Sequence, residues 1–294
     1  MKKYNLENIT FCVFARIDNK ERADNLKAMV NFYRLYGENV KFIISEDGLI
    51  PKVPSIINLT ENDVYTFNYN ATEWKKCEGY NKCIKLAKTN TLVFNDVDAI
   101  IHPSQLLEAH SKLENEKKYG LIYPYNGLFL CTDKELKDEF IDSNYNYNIL
   151  SKKVPSSVDT YNGSVTGNHQ RTHLAYEINK TYNNVLIGHV NSKGGCVMGR
   201  RDNIIKCNGY NPLFKGWGYE DDEFPSRVSG FGFTVGRISG AKKPCWHLHH
   251  FDGKGSKKEH QEFYEHNRQI CTEVETIIKN NKKELHNYIT NWKL

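Results

Sequence analysis

The chain has 294 residues, 39% of them hydrophobic and 26% charged, a balance that supports one large core and excludes a disordered chain. Its net charge of +5 is small for this length. Anionic ligands are allowed, but nothing resembles the clustered Lys/Arg footprint of a nucleic-acid binder.

The N-terminus, Met1-Lys2-Lys3-Tyr4-Asn5, turns polar without the apolar region of an export signal, and no run approaches the ~18 apolar residues of a membrane span. A cytoplasmic location is the expectation, compatible with peripheral membrane association. Residues 10–15 form an apolar run suited to a buried strand. Asp18 and Glu21 are spaced as a capping box, and Leu26, Met29, Val30 and Tyr33 then repeat at helical spacing up to Gly37. Strands are expected at 40–44 and 56–59, and a helix over 73–88 leads into the apolar run Thr91-Leu92-Val93-Phe94. Strands alternating with helices imply a parallel, doubly wound sheet, whose ligands sit beyond the carboxyl ends of the strands. Residues 120–131 read as strand. Residues 142–185, rich in Asn, Tyr, Ser and Thr, read as an irregular insertion, and a terminal helix is expected beyond Gly253. Eight cysteines occur without C-x-x-C spacing, so buried thiols are expected rather than a zinc ribbon or a disulfide framework.

Two acidic strings carry the chemistry. Asn95-Asp96-Val97-Asp98 closes the strand at 91–94, and side chains at i and i+2 of a strand share a face. Two carboxylates so presented suit a hard cation that bridges to phosphates. Further on, Gly216-Trp217-Gly218 precedes four consecutive acids, Glu220 to Glu223, which cannot all find partners in a core. They suit a solvent-filled cleft, or the first turn of a helix whose macrodipole they complement. Adjacent like charges also raise one carboxylate toward useful basicity.

These strings, in the order Phe14-Ala15-Arg16, a helix, Asn95-Asp96-Val97-Asp98, Lys193-Gly194-Gly195-Cys196-Val197, Gly216 to Glu223 and His247-Leu248-His249-His250, resemble the β-1,4-galactosyltransferase and chondroitin-polymerase branch of GT-A glycosyltransferases over residues 8–255. The resemblance implies an α/β GT-A domain over 1–255, a Rossmann-like mixed sheet flanked by helices. Residues 142–185, an insertion with no counterpart in that family, are expected either to border the acceptor, which must approach the carboxyl edge of the sheet from that side, or to be a solvated surface loop, and 256–294 to be a C-terminal helical extension, also without a counterpart. It also implies a UDP-sugar donor, a glycan or glycolipid acceptor, and Mn²⁺ (or Mg²⁺) as cofactor. Asp98 would be a direct metal ligand, with His250 and, where the family has a thioether, His247. A bend is required for both imidazoles to face one ion, and His250 is preferred over His247. Asp96 would lie near the ribose or uracil. By the same resemblance Asp221 is the general base and Glu220 the acceptor's hydrogen-bonding partner. Retaining relatives carry Asn at the position of Asp221, so the Asp implies inversion.

Four further groups are assigned to the donor. Gly194 and Gly195 would let backbone approach it, or simply turn into a strand. Trp217 would stack on a sugar face. Arg16 would meet a phosphate or the uracil, or be a surface side chain. Lys76, where the family often has Arg, would face the donor or be solvated. Galactose or N-acetylgalactosamine is the expected hexose. The alternatives are a retaining transferase or nucleotide-sugar hydrolase on the same fold, or a catalytically silent carbohydrate-binding protein.

Overall fold

The structure, a computed structural model, describes residues 2–70, 72, 74–163, 176–250, 256–292 and 294. Fourteen strands are described: β1 (Tyr4–Asn5), β2 (Ile9–Ala15), β3 (Gly37–Glu38), β4 (Phe42–Gly48), β5 (Val64–Tyr69), β6 (Thr91–Asn95), β7 (Ala99–Ile100), β8 (Tyr119–Tyr123), β9 (Phe129–Thr132), β10 (Thr181–Tyr182), β11 (Val185–His189), β12 (Cys196–Arg200), β13 (Thr234–Arg237) and β14 (Cys245–His247). The main sheet has the order β13-β8-β12-β6-β2-β4-β5. Every residue of β2 is buried, as expected for an apolar run covered on both faces.

The sheet is mixed, as the GT-A resemblance implies, and not wholly parallel as the strand–helix alternation suggested. It is parallel over β5-β4-β2-β6, but β12 runs antiparallel to both β6 and β8. An apolar run carries no sign of strand direction. The reversal has a consequence for the site, because pairing Cys196 with Asn95 brings Gly194-Gly195 beside the turn at Asp96.

A second sheet has the order β10-β11-β9-β14-β7, and its strand β7 follows the carboxyl end of β6 after the turn at 96–98. Here the single strand expected over 120–131 divides in two. Pro124 and Gly127, with φ of 97°, interrupt it, so β8 stays in the main sheet and β9 joins the second. The strand expected at 56–59 is also displaced. Pro54 opens the short helix Val53–Ile56, and the strand forms later as β5, a half-buried edge whose pattern is not apolar.

The helix Lys20–Tyr36 is capped by Asn19, whose side chain accepts the Arg22 N–H, rather than by Asp18, which instead pairs with Arg22 at 3.3 Å. Of the eight thiols, all free, seven are buried and Cys131 is partly so. The segment 142–185 includes the helix Tyr147–Ser151 and β10, while residues 164–175 lie outside the described residues. At the C-terminus the helix Ser256–Asn280 sends Ile270 and Cys271 into the main core, and the helix Lys282–Ile289 closes a smaller cluster of Val274, Leu285, Tyr288, Ile289 and Trp292. Among the described residues no helix is long and apolar enough to cross a membrane.

Candidate active site

The site is built around the turn that follows β6. The strand ends at Asn95, whose amide donates to the carbonyls of Asp96 (2.7 Å) and Ala99 (3.0 Å) and whose side-chain oxygen accepts from Tyr33 (3.3 Å). Residues 96–98 therefore form a braced turn, not a continued strand. Asp96 and Asp98 consequently diverge, in place of the shared face expected from i and i+2 spacing.

Asp98, 5% exposed, faces the second sheet. Antiparallel pairing sets His247 opposite Ala99, and the Leu248 N–H donates to the Asp98 carbonyl at 2.8 Å. The chain bends after β14 because Asn25, fully buried on the first long helix, donates to the carbonyls of Leu248 (3.3 Å) and His249 (3.2 Å). That bend turns both imidazoles to one carboxylate: His247 Nε2 lies 3.4 Å from Asp98 Oδ1 and His250 Nε2 3.3 Å from Oδ2. Burial alone would raise the Asp98 pKa, but His247 and then His250 hold it well below the usual carboxylate range. His247 is raised in turn, its burial outweighed by Asp98. The ligating atoms of the three side chains all lie within 4.8 Å of one another. Two imidazoles and a carboxylate suit a borderline divalent cation, so the donor set fits Mn²⁺ better than Mg²⁺. His249 does not join them; its backbone N–H is held by Thr132 and its carbonyl by Asn25 and Lys137.

On the other side of the turn, Asp96 accepts from Tyr80 (3.1 Å) and pairs with Lys76 (3.1 Å). Lys76 is not a solvated lysine. The first turn of the helix Lys76–Leu86 points it inward, 9% exposed, with Nζ also 3.2 Å from Glu220 Oε1 and 4.0 Å from Asp221 Oδ1. Burial opposes its charge, yet Asp221, Asp96, Tyr80 and Glu220 hold its pKa well above the ordinary lysine value. One ammonium thus gathers three carboxylates from two distant segments.

The acids at 220–223 do open a helix, Glu220–Gly230, and their four side chains separate into distinct environments. Glu220, 4% exposed, accepts from the Gly218 N–H at 2.9 Å in addition to Lys76. Asp221 keeps 35% of its side chain open to solvent, although most of the group is enclosed. Burial, opposed by Lys76 and reinforced by Glu220, Asp96 and Asp222, pushes its carboxyl up to about 8. Asp222 makes an exposed pair with Lys193 at 2.7 Å. Glu223 is structural: fully enclosed, it receives Arg227 through two hydrogen bonds, and that guanidinium also donates to the carbonyls of Cys207 and Gly209.

Gly194 faces Asp221 so closely that a Cβ there would stand 3.0 Å from Oδ2. Gly195, with φ of 84°, leaves no room for one either, since Phe129 would lie at 2.8 Å. Its carbonyl accepts the Asp96 N–H at 2.9 Å, which ties this turn to the Asp96 turn. Trp217 is 54% exposed beside the acidic pair in sequence, its ring accessible to a ligand. Arg16 follows β2 at the carboxyl edge of the sheet and donates to the Thr72 carbonyl at 3.4 Å, toward the loop that leads to Lys76. Tyr80, Asn95 and Asn25 were missing from the sequence-derived site. Tyr80 stands four residues after Lys76, a spacing that shares a helix face, but it reads equally as a core aromatic.

Residues 184–251 match the family model described as the N-terminal domain of galactosyltransferase. That segment contains the Gly194-Gly195, Gly216 to Glu223 and His247 to His250 strings, so it bears out the galactosyltransferase resemblance over three of the motifs that carry it. A search of curated protein sequences gave no match. Among solved structures, the mannosyltransferase PcManGT from Pyrobaculum calidifontis, in complex with GDP-Man and Mn²⁺, is 12% identical, with 97% of this chain and 73% of that one covered at a TM-score of 0.49. The catalytic domain of Drosophila β1,4-galactosyltransferase 7, in complex with xylobiose, is 15% identical, with 87% and 79% covered at a TM-score of 0.44.

Proposed function

We propose that this chain is an inverting, metal-dependent glycosyltransferase that moves galactose or N-acetylgalactosamine from a UDP-sugar to a glycan or glycolipid acceptor. The observation that carries the reading is the turn at 96–98, which presents one carboxylate to two imidazoles and another to Lys76 beside Glu220 and Asp221. Asp98, His250 and His247 would hold Mn²⁺ (or Mg²⁺). A divalent ion held there would supply positive charge to the diphosphate leaving group.

The chain's own groups divide the remaining work. Arg16 meets the diphosphate or the base, and Asp96 the ribose or uracil. Lys76 serves the donor side through its pair with Asp96. Gly194 keeps a side chain off Asp221, Gly195 keeps one off Phe129, and both let backbone approach the donor. Trp217, a donor-site residue that also bounds the side from which the acceptor approaches, offers its ring to a sugar face, and Glu220 fixes the loop through the Gly218 N–H. Asp221 takes the proton of the acceptor hydroxyl as that oxygen bonds to the anomeric carbon. The bond from this carbon to the UDP oxygen breaks, and its electron pair leaves with UDP. A carboxyl raised to about 8 is basic enough to accept such a proton, and the open part of its surface is where the acceptor reaches it.

The catalytic domain is assigned to 1–255, with 142–185 on the acceptor side and 256–294 as a helical extension, in a cytoplasmic protein. A screen of UDP-sugars for Mn²⁺-dependent UDP release tests the activity. Release from UDP-galactose or UDP-N-acetylgalactosamine supports it; no release from any UDP-sugar with any sugar acceptor supplied rejects it in favour of a binding protein.

A further inference from the structure

The loop that carries the acidic pair is held by the C-terminal helix, outside the segment that matches the galactosyltransferase family. Asn267, fully buried on the helix Ser256–Asn280, accepts from the Lys215 N–H (3.1 Å) and donates to the carbonyls of Lys215 (2.7 Å) and Trp217 (3.4 Å). Its amide therefore pairs with residue 215 in both directions, as a neighbouring strand would. One turn earlier on the helix, two aromatic rings close over the loop glycines. A Cβ at Gly216 would lie 3.0 Å from Phe263, one at Gly218 would lie 3.3 Å from Tyr264, and the Tyr264 ring is 4.9 Å from that of Tyr219.

The loop needs such support. Gly216, Gly218 and Tyr219 all have positive φ (61°, 111° and 66°), and for Tyr219 this is an unfavourable conformation that persists only when its surroundings enforce it. Tyr219 is also the residue immediately before the catalytic helix, and it has no side-chain capping bond. The Gly218 N–H then supplies the hydrogen bond that orients Glu220, and the Trp217 indole stays exposed while its carbonyl is tied.

We propose that Asn267 is a positioning residue, through which the C-terminal helix sets the direction of Trp217 and of the Glu220–Asp221 pair. The functional half of this inference rests on the reading of the loop as the acceptor side; the clamp itself does not. The test compares Asn267→Ala, Tyr264→Ala and the control Arg268→Ala, which removes an exposed pair with Glu265 on the same helix and no hydrogen bond to the loop backbone.

Hydrogen exchange without substrate comes first. Asn267→Ala should accelerate exchange in the loop 215–219 by tenfold or more, with the main sheet unchanged, whereas Arg268→Ala should not; protection in Asn267→Ala equal to that of the unsubstituted protein overturns the clamp whatever the enzyme does. Activity is then read as UDP release from UDP-galactose with a sugar acceptor, and donor affinity by titration with UDP and Mn²⁺. Asn267→Ala should lower kcat or raise acceptor KM by about tenfold and leave UDP affinity within twofold. Tyr264→Ala, at a partly exposed position, should show the same split to a smaller degree. Parallel loss of UDP affinity and kcat would assign Asn267 to general stability instead. A loop that loosens in an enzyme with unchanged kinetics would remove the functional half alone.

Discussion

Replacing Lys76 by Met removes the one charge that three carboxylates share while keeping the length of the side chain. Two effects follow, with different sizes. For stability, breaking a buried ion pair by deleting one partner costs about 3–5 kcal/mol. Only Glu220 is enclosed to that degree, since Asp96 and Asp221 retain about a third of their side-chain surface (32% and 35%). The low end, about 3 kcal/mol, is therefore expected. For chemistry, a charge 4.0 Å from Asp221 is worth about 4 kcal/mol at an effective dielectric of 20, and solvent on the open side reduces this to roughly 1–2 kcal/mol, about one pKa unit.

The direction is fixed by the sign of that interaction. As the proposed base, Asp221 would act only when ionised, so the activity of the native protein should rise with pH through about 8. Without Lys76 the ascending limb should move alkaline by about one unit, with roughly tenfold less activity near neutrality. Stability has the opposite pH trend. A carboxyl with a higher pKa folded than unfolded binds an extra proton in the native state, so its stabilising contribution is greatest at low pH and is lost as pH rises toward about 8. The assay is the pH dependence of kcat/KM for UDP release between pH 6 and 10, alongside thermal unfolding. An ascending limb that stays in place in Lys76→Met, or moves toward acid, refutes the electrostatic account of Asp221.

Chelation with excess EDTA should abolish transfer, and Mn²⁺ should restore it better than Ca²⁺, which prefers a larger all-oxygen shell; undiminished activity in EDTA is the contrary result. Asp98→Ala should weaken UDP binding measured with Mn²⁺ as well as turnover, because the triad loses its only carboxylate. Gly194→Ala sets a methyl 3.0 Å from Asp221 Oδ2, so kcat should fall by about tenfold or more while unfolding shifts little; unchanged kcat would show that Asp221 tolerates displacement. Arg227→Met leaves Glu223 buried and unpaired and should cost about 3–5 kcal/mol in denaturant unfolding, with kcat per folded molecule retained.

How much of this was legible in the sequence depended on the range of the interactions involved. The buried run of β2 and the helix after it follow from local patterning, and the acidic and histidine strings are visible as strings. Strand ends are less legible. The apolar run at 91–94 does not reveal that pairing stops at Asn95, and the divergence of Asp96 from Asp98 follows from that single boundary. Lys76 is ambiguous in sequence because its burial is stabilised by Glu220 and Asp221, more than 140 residues away. The direction of β12, which brings Gly194 to Asp221, is invisible in the pentapeptide Cys196–Arg200 taken by itself. The bend that turns His247 and His250 to one carboxylate was required by the three-residue spacing, but the Asn25 side chain that holds it lies 223 residues before Leu248.

The configuration of the transferred sugar tests the central claim most directly. With an α-linked UDP-galactose or UDP-N-acetylgalactosamine donor, Mn²⁺ and a sugar acceptor, the anomeric proton of the product is read by NMR. Direct displacement with Asp221 as base predicts a β-linked product, formed only when the metal is present and lowered about 10²-fold or more in kcat by Asp221→Asn. An α-linked product, or unimpaired turnover in Asp221→Asn, would contradict it.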